Sequence, residues 1–468
     1  MTGSAGAADF VQWFRRSAPY INAHRGRTFV ISVGGEALLD AGFPALIHDI
    51  ALLHSLGVRI VFVVGTRPQI NARMQTRGIE QHYHQGLRIT TQESLDCVKE
   101  AAGAVRVEVE ALMSMGLANS PMAGFRLRVA SGNLVTARPL GVRDGVDYQH
   151  TGEVRRIDQQ ALDQRLDDGS IVLLVPLGYS PTGEVFNLAA EDVALRTAQA
   201  LKADKLIYLV EHPLPRDADG SLLREISVAR LERMLADAPA SSGPFASSCR
   251  SDADPSQDPG GRQDVQRLLV DALLACRAGV TRVHLLERCA DGQLLLELFS
   301  RDGVGTLIAG DPFELIRRAT IEDIGGILAL TEPLEHSGVL VRRSRELLEN
   351  QIDEFLVIER DGTIIASAAL SALPGAELGE LACFTTHPDY LGGGRGGRLL
   401  AHVEREAKRR GLTGLYVLTT HASHWFRERG FDPADVADLP QPRQQLYNLA
   451  RRSKVFVKRF AASPRKGE

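Results

Sequence analysis

ELACFTTHPDYLGGGRGGRLLAHVEREAKRRGLTGLYVLTT, residues 380–420, sets a strand, a glycine-rich loop, an amphipathic helix and a second strand in succession. The loop GGGRGG (Gly392, Gly393, Gly394, Arg395, Gly396, Gly397) follows HPDY and opens the helix. Glycines allow a tight turn whose backbone N–H groups face one way, and the helix N-terminus adds about half a positive charge. Together they make a cradle for a pyrophosphate; a ligand-free flexible turn is the alternative for such a loop taken alone. The setting argues for the cradle. EFLVIER (354–360), TIIASAAL (363–370) and LGELACFTT (378–386) alternate as three strands, and DGT at 361–363 is a hairpin turn, so the loop follows an antiparallel meander. A dinucleotide fold instead places GxGxxG after the first strand of a parallel βαβ unit.

Outward from this stretch, IRRAT (316–320) is a strand, and helices are expected over Ile321–Leu330 and Ser344–Ile352. Residues 313–468 therefore form an α+β domain. Upstream the rhythm differs. FVISV (29–33), RIVFVV (59–64), IVLLVPL (171–177) and KLIYLV (205–210) are short, doubly apolar strands. They alternate with helices around Ile47–Leu56, Gln92–Met115 and Val193–Lys202. Such alternation predicts a mostly parallel sheet covered on both faces, an αβα sandwich over residues 25–310. Within it, 238–262 is rich in Ser, Pro, Gly and Asp, cannot repay its ordering entropy, and is expected to be a disordered surface loop. The βα pattern resumes directly in DVQRLLVDALLACRAG (264–279). Phe10, Phe14, Ala18 and Ile21 recur at helical spacing, so residues 1–24 form an appended helical arm.

Bulk properties exclude several functions. A chain of 468 residues exceeds one ordinary core, and 44% hydrophobic with 24% charged residues is a globular composition without a run long enough for a membrane span. The first residues, MTGSAGAADFVQW, carry no secretory pattern, which points to the cytoplasm. A net charge of −4 offers nucleic acid no general attraction. Five scattered cysteines and the absence of CxxC or HExxH argue against disulfides and a metal, with His421 and His424 lacking a third ligand.

The 380–420 stretch resembles the GNAT acetyltransferases, whose pyrophosphate loop has Gln or Arg, two residues, Gly, one residue, then Gly or Ala. Gly394 and Gly396 match; the first position holds Leu391. The resemblance implies acetyl-CoA splayed between the two central strands, near Cys383, Phe384, Thr385, Gly392, Gly393, Gly394, Gly396 and Gly397, and direct transfer to an amine. An amine of pKa about 8 is mostly protonated at neutral pH and needs a base. The resemblance puts Glu380 in that role and Thr419, with Tyr416 second, as acid for the leaving thiolate, while Cys383 lines the site without being a nucleophile. A carboxylate on a strand is otherwise more often an ordinary surface group.

IRRATIEDIGGILAL, ELACF, LVRRSRELLE, HWFRERGF and QLYNLARRSKV are similar to the bacterial N-acetylglutamate synthase family, which opens arginine biosynthesis. That similarity implies glutamate as acceptor, held by Arg317, Arg451 and Ser453, with Arg318 or Arg452 as alternatives within the two pairs. Guanidinium forks suit carboxylates, although most arginines are only solvated. FVISVGGEALL, VGTRPQIN, QGLRIT and FNLAAEDVA resemble the amino-acid kinase fold. Ser32 stands where those kinases carry the lysine that offsets phosphoryl charge, so phosphoryl transfer is not expected. TRVHLLERCADGQLLLELFSRDGVGT (281–306) resembles a feedback site for L-arginine, implying Tyr20, His284, Glu297, Gly303, Gly305 and Thr306. The arm is similar to one that links subunits in hexameric relatives, which implies a homo-oligomer. Two alternatives stand beside this one: a kinase with an accessory acetyltransferase domain, and a non-catalytic arginine-binding regulator.

Overall fold

The computed structural model describes residues 4–115, 124, 127–211, 213–217, 219–236, 259–300, 303–310, 314–360, 363–373, 375–391, 394–445, 447 and 453–460. Gly392, Gly393, Arg451, Arg452, the hairpin residues 361–362 and residues 238–258 lie outside them. The chain divides into two compact units, Met1–Asp311 and Pro312–Glu468.

In the first unit, eight strands form one sheet in the order Glu225–Ser227, Thr306–Ala309, Arg282–Glu287, Lys205–Val210, Thr28–Val33, Arg59–Val64, Ile171–Leu174, Val129–Ala130. All neighbours run parallel except Arg282–Glu287 against Thr306–Ala309. Every residue of Thr28–Val33 and Lys205–Val210 is buried, which is why these strands read as near-continuous apolar runs, broken by Thr28, Ser32 and Lys205, rather than alternating. Their two faces feed separate cores. Val30, Val61, Val63 and Leu206 meet Val193, Ala194, Leu269 and Ala272 of the helices Ala190–Leu201 and Pro259–Arg277. Phe29, Ile31, Ile60 and Phe62 meet Ile47, Ile50, Val105 and Val109 of Phe43–Ser55 and Gln92–Met113. The αβα sandwich is thus observed. Residues 259–262, assigned above to the surface loop, are instead the first turn of the Pro259–Arg277 helix.

A second sheet of four short strands (Val185–Asn187, Leu177–Tyr179, Val135–Pro139, Gly152–Ile157) has no counterpart in the sequence reading. Its strands are three to six residues long, too short for a period-2 pattern to stand out. The arm is one helix, Ser4–His24. Ser17 Oγ donates to the Phe299 carbonyl (3.4 Å), and His24 Nε2 bonds the Leu298 carbonyl (2.8 Å).

The second unit is a seven-stranded sheet in the order Leu315–Arg318, Phe355–Arg360, Thr363–Ser371, Leu378–Thr386, Gly414–Thr419, Lys454–Arg459, Asp432–Ala434. Neighbours are antiparallel, as expected of the meander, except for one parallel pair, Leu378–Thr386 with Gly414–Thr419. The helix Arg395–Arg409 places Leu399, Leu400, Val403 and Ala407 on one face of the sheet, against Leu356, Ile358 and Ile365. Ile324, Ile327 and Leu330 of Ile324–His336 cover the other face, against Phe355, Val357 and Ala369. Among the described residues no helix is long and apolar enough to cross a membrane.

Candidate active site

The parallel pair is joined by four residue pairs, from Leu378–Gly414 to Leu381–Val417. Immediately beyond, Cys383 takes a left-handed φ of 47°, and the register to Thr363–Ser371 shifts between Ser367 and Ala369. That is a β-bulge, which bends one strand away from its neighbour. The strands therefore part past Leu381. The space between them is a groove of about 360 Å³ lined by Ala382–Thr386, Val417–Thr419, Gly394–Gly397 and the Trp425 and Phe426 rings. Backbone edges facing a groove need partners, which a linear ligand carrying amides supplies by adding itself as a strand.

At one end stands the glycine loop. Gly394 caps the helix at φ 72°, a conformation that costs a residue with a Cβ. Gly396 is required for a different reason: a Cβ there would lie 3.0 Å from Trp425 Cζ2. Trp425 cannot yield easily, being packed on Phe384 (5.3 Å between ring centroids) and Phe426 (5.0 Å) with Arg429 stacked over it at 3.9 Å. The first amides of the helix have no carbonyl behind them and face the groove as an anion cradle.

Glu380 is set against the last joined pairs of the seam, paired in register with Tyr416. Its carboxylate is only 18% exposed and is gripped by Arg443, Nε to Oε2 at 2.8 Å and Nη2 to Oε1 at 2.9 Å. Tyr416 donates its hydroxyl to the same Oε2 at 3.2 Å, and burial, with the neighbouring Glu380 charge, pushes the phenol above its usual range. Thr419 lines the groove; its Oγ1 accepts the amides of Ala422 (3.0 Å) and His421 (3.3 Å), leaving its proton to donate. Burial raises the Cys383 thiol, so it rests as a neutral group rather than a thiolate nucleophile. Phe384 and Thr385 line the same groove, and Ser453 is buried one residue before Lys454, the register partner of Thr419.

Arg317 is not brought to this place. It lies on the edge strand, three strand spacings, roughly 14 Å, from the strand of Glu380. Its guanidinium is committed to Asp323 (2.6 and 2.8 Å) and to Glu359 (2.7 Å), and that hydrogen-bonded pairing holds Asp323 down to about 2. Arg318 is bound to Glu406. Arg343, in LVRRSRELLE, is a further arginine of this unit. Its charge acts on the Cys383 thiol together with those of Glu335 and Glu380, and its Nη1 donates to Gln351 at 3.0 Å.

In the first unit, His284, Glu297 and the turn Gly303–Thr306 converge. His284 Nδ1 donates to Glu297 Oε1 (2.7 Å), and Glu297 Oε2 accepts the amides of Val304 (2.7 Å) and Gly305 (2.9 Å). Burial opposes ionisation of Glu297, but His284 and the two amides outweigh it and hold the carboxyl down to about 2. Burial, and then Lys205, push His284 down to about 4. A Cβ on Gly303 would meet Glu297 Oε2 at 2.5 Å, and Thr306 Oγ1 is buried without a partner among the described residues. Tyr20 packs on the core that contains Leu298 and Phe299, next to Glu297. Where the kinases hold their lysine, Ser32 is buried, and Glu211 at the strand end is bound by Arg288 at 2.5 and 2.8 Å. Among the described residues no group of three His, Cys, Asp or Glu side chains is placed to hold a metal.

A bulged, splayed parallel pair beside a glycine cradle, on the unit that follows in sequence a kinase-like sandwich with Ser32 at the kinases' lysine position, defines a two-unit acyl-CoA N-acetyltransferase. Residues 27–287 match the amino acid kinase family model and 325–431 the acetyltransferase (GNAT) family model. The chain is 52% identical over 451 residues to an amino-acid acetyltransferase of Pseudomonas putida, covering 96% of this chain and 99% of that one. One from Azotobacter vinelandii is 52% identical over 455 residues, with the same coverage. The chain belongs to the amino-acid acetyltransferase family. Among solved structures, N-acetylglutamate synthase from Neisseria gonorrhoeae complexed with coenzyme A and L-arginine superposes with a TM-score of 0.84 at 37% identity, covering 97% of this chain and 100% of that one. The same enzyme complexed with coenzyme A and N-acetyl-glutamate gives 0.58 at the same identity and coverage.

Proposed function

We propose that this amino-acid N-acetyltransferase transfers acetyl from acetyl-CoA to L-glutamate, as a cytoplasmic homo-oligomer whose kinase-like unit senses L-arginine. The observation that carries the reading is the wedge opened at Cys383, with the glycine cradle at one end and Glu380 set against its joined base. CoA lies in the wedge with its pyrophosphate on the loop. The glutamate ammonium gives one proton to Glu380, directly or through water, and the free amine attacks the thioester carbonyl; the C–N bond forms, the C–S bond breaks, and Thr419 protonates the departing sulfur while taking up the second proton that the nitrogen sheds. Tyr416 already directs its proton at Glu380, which favours Thr419 as the acid. Arg343, Arg451 and Ser453 receive the substrate carboxylates, Arg343 replacing the Arg317 of the sequence reading. Ser32 and the Arg288–Glu211 pair weigh against phosphoryl transfer.

Tyr20, His284, Glu297, Gly303, Gly305 and Thr306 form the effector pocket, with Glu297 as the carboxylate for a guanidinium. The arm bonds to Leu298 and Phe299, next to Glu297, which supports a path from effector to subunit contact. The test is thiol release by the purified chain with acetyl-CoA and glutamate, with and without arginine. Glutamate-dependent release that arginine lowers is expected; release with no glutamate dependence refutes the substrate, and indifference to arginine refutes the sensor. Glu380→Gln is expected to lower turnover about 100-fold or more while CoA still binds.

A further inference from the structure

Leu381–Val417 is the last rung joining the two central strands. Two residues past it stand Cys383 on one strand and Thr419 on the other, so both line the groove at the same depth, about 7 Å beyond the rung. The bulge sets Cys383 and Phe384 against the single residue Ala368, since Ala382 pairs with Ala369 and Thr385 with Ser367. The consecutive residues Ala382 and Cys383 therefore pack on one apolar cluster, on the face that Glu380 shares with Ala382 by alternation. In that cluster Cys383 joins Ile327, Phe355 and Ala369, all fully buried, and Ser367 Oγ donates to the Cys383 carbonyl at 3.3 Å. Packed into the core and pinned at its carbonyl, the residue cannot retreat unless the core shifts. At its φ of 47° a glycine would sit at less cost, so a side chain is kept here against a backbone penalty.

We infer that Cys383 is the wall that limits the transferred acyl group to two carbons. The inference rests on the proposed transfer from acetyl-CoA, with Thr419 protonating the leaving sulfur. A sulfur within reach of Thr419 puts the thioester carbonyl at the depth of Cys383. The acyl carbon, bonded on the far side of that carbonyl from the sulfur, then meets the opposite strand at Cys383. A methyl group lies against the neutral thiol as one apolar surface on another. Each further methylene has to push the thiol into a filled core.

The experiment compares kcat/KM for acetyl-CoA and propionyl-CoA, with glutamate saturating, in the full chain and in Cys383→Ala and Cys383→Gly. The unaltered protein is expected to prefer acetyl-CoA by about tenfold or more, the discrimination that one methylene meets at a packed wall. Cys383→Ala vacates roughly the space of one methyl group and is expected to lower that preference by about tenfold, and Cys383→Gly by at least as much. Acetyl transfer by the unaltered protein reports on the underlying reaction, whereas the donor ratio reports on the wall. A donor ratio unchanged in both variants overturns the inference, even where melting temperature and both rates fall together, because that is the mark of a packing role alone. An unaltered protein that uses the two donors alike overturns it as well. So does a donor ratio that stays fixed while the preference between glutamate and the longer 2-aminoadipate relaxes, since that places the thiol against the acceptor. Should Cys383→Ala not fold, Cys383→Gly, suited to the φ of 47°, reads the same ratio.

Discussion

Substitution of Gly396 by alanine tests the cradle directly. The new methyl would sit 3.0 Å from Trp425 Cζ2, tighter than ordinary van der Waals contact by several tenths of an ångström. Trp425 is wedged between Phe384 and Phe426 beneath Arg429, so the strain falls on the loop, and the first helical amides move off the phosphate positions. Hydrogen bonds to charged groups contribute about 1.5–3 kcal/mol each, and a shift of this size forfeits part of one or two. A loss of about 1–2 kcal/mol follows, a five- to thirtyfold rise in Kd for CoA by calorimetry. Gly394→Ala should lose a similar amount through its φ of 72°, where a Cβ costs about 1–2 kcal/mol. Gly325, on the helix of the opposite face with open space around it, is the control: Gly325→Ala leaves CoA binding unchanged. If Gly396→Ala binds CoA within twofold of the unaltered protein, the Trp425 contact does not hold the cradle.

Arg317→Met is expected to lower thermal stability by breaking its bonds to Asp323 and Glu359 without raising the KM for glutamate, whereas Arg343→Met raises that KM about tenfold or more; the reverse pattern restores Arg317 to the substrate. His24 and His284 are both held down to about 4 from 6.5, chiefly by burial, so the unfolded chain binds more protons between those values. Stability is therefore complete above pH 6.5 and declines as pH falls toward 4, and His24→Asn should flatten that decline in a melting series; a melting temperature constant over the range contradicts it. In the second unit Gly325→Ala stabilises its helix by about 1 kcal/mol. Gly326→Ala destabilises it, because its Cβ would lie 2.8 Å from Ile364 Cγ1, and equal effects on the midpoint of thermal unfolding would show that the helix packs otherwise.

Much of this architecture is legible in the sequence because burial on two faces leaves apolar strands such as FVISV and KLIYLV, and because GGGRGG breaks the pattern where a helix must begin beside a ligand. What escapes is whatever depends on strand order. Arg317 and Arg318 are equal candidates on paper, and only the placement of Leu315–Arg318 at the sheet edge shows how far that strand lies from the strand of Glu380. Arg443 lies in a five-residue helix without periodicity, and nothing local shows that it meets Glu380, 63 positions away. Glu314 likewise meets Arg395, 81 positions away. Long-range pairs between charged residues leave no signature in a single sequence, since each member alone resembles a solvated surface group.

The four residue pairs between Leu378–Leu381 and Gly414–Val417 are the only ladder rungs joining the two leaves of the second sheet among the described residues. Four strands hang on one side and three on the other. A linear amide-bearing cofactor laid in the gap is then a temporary eighth strand, stitching the leaves along the length that the bulge at Cys383 left open. With the cofactor in the proposed place, each turnover would close and reopen that seam, and backbone amides of residues 382–386 and 418–419 should exchange with solvent more slowly when CoA is bound.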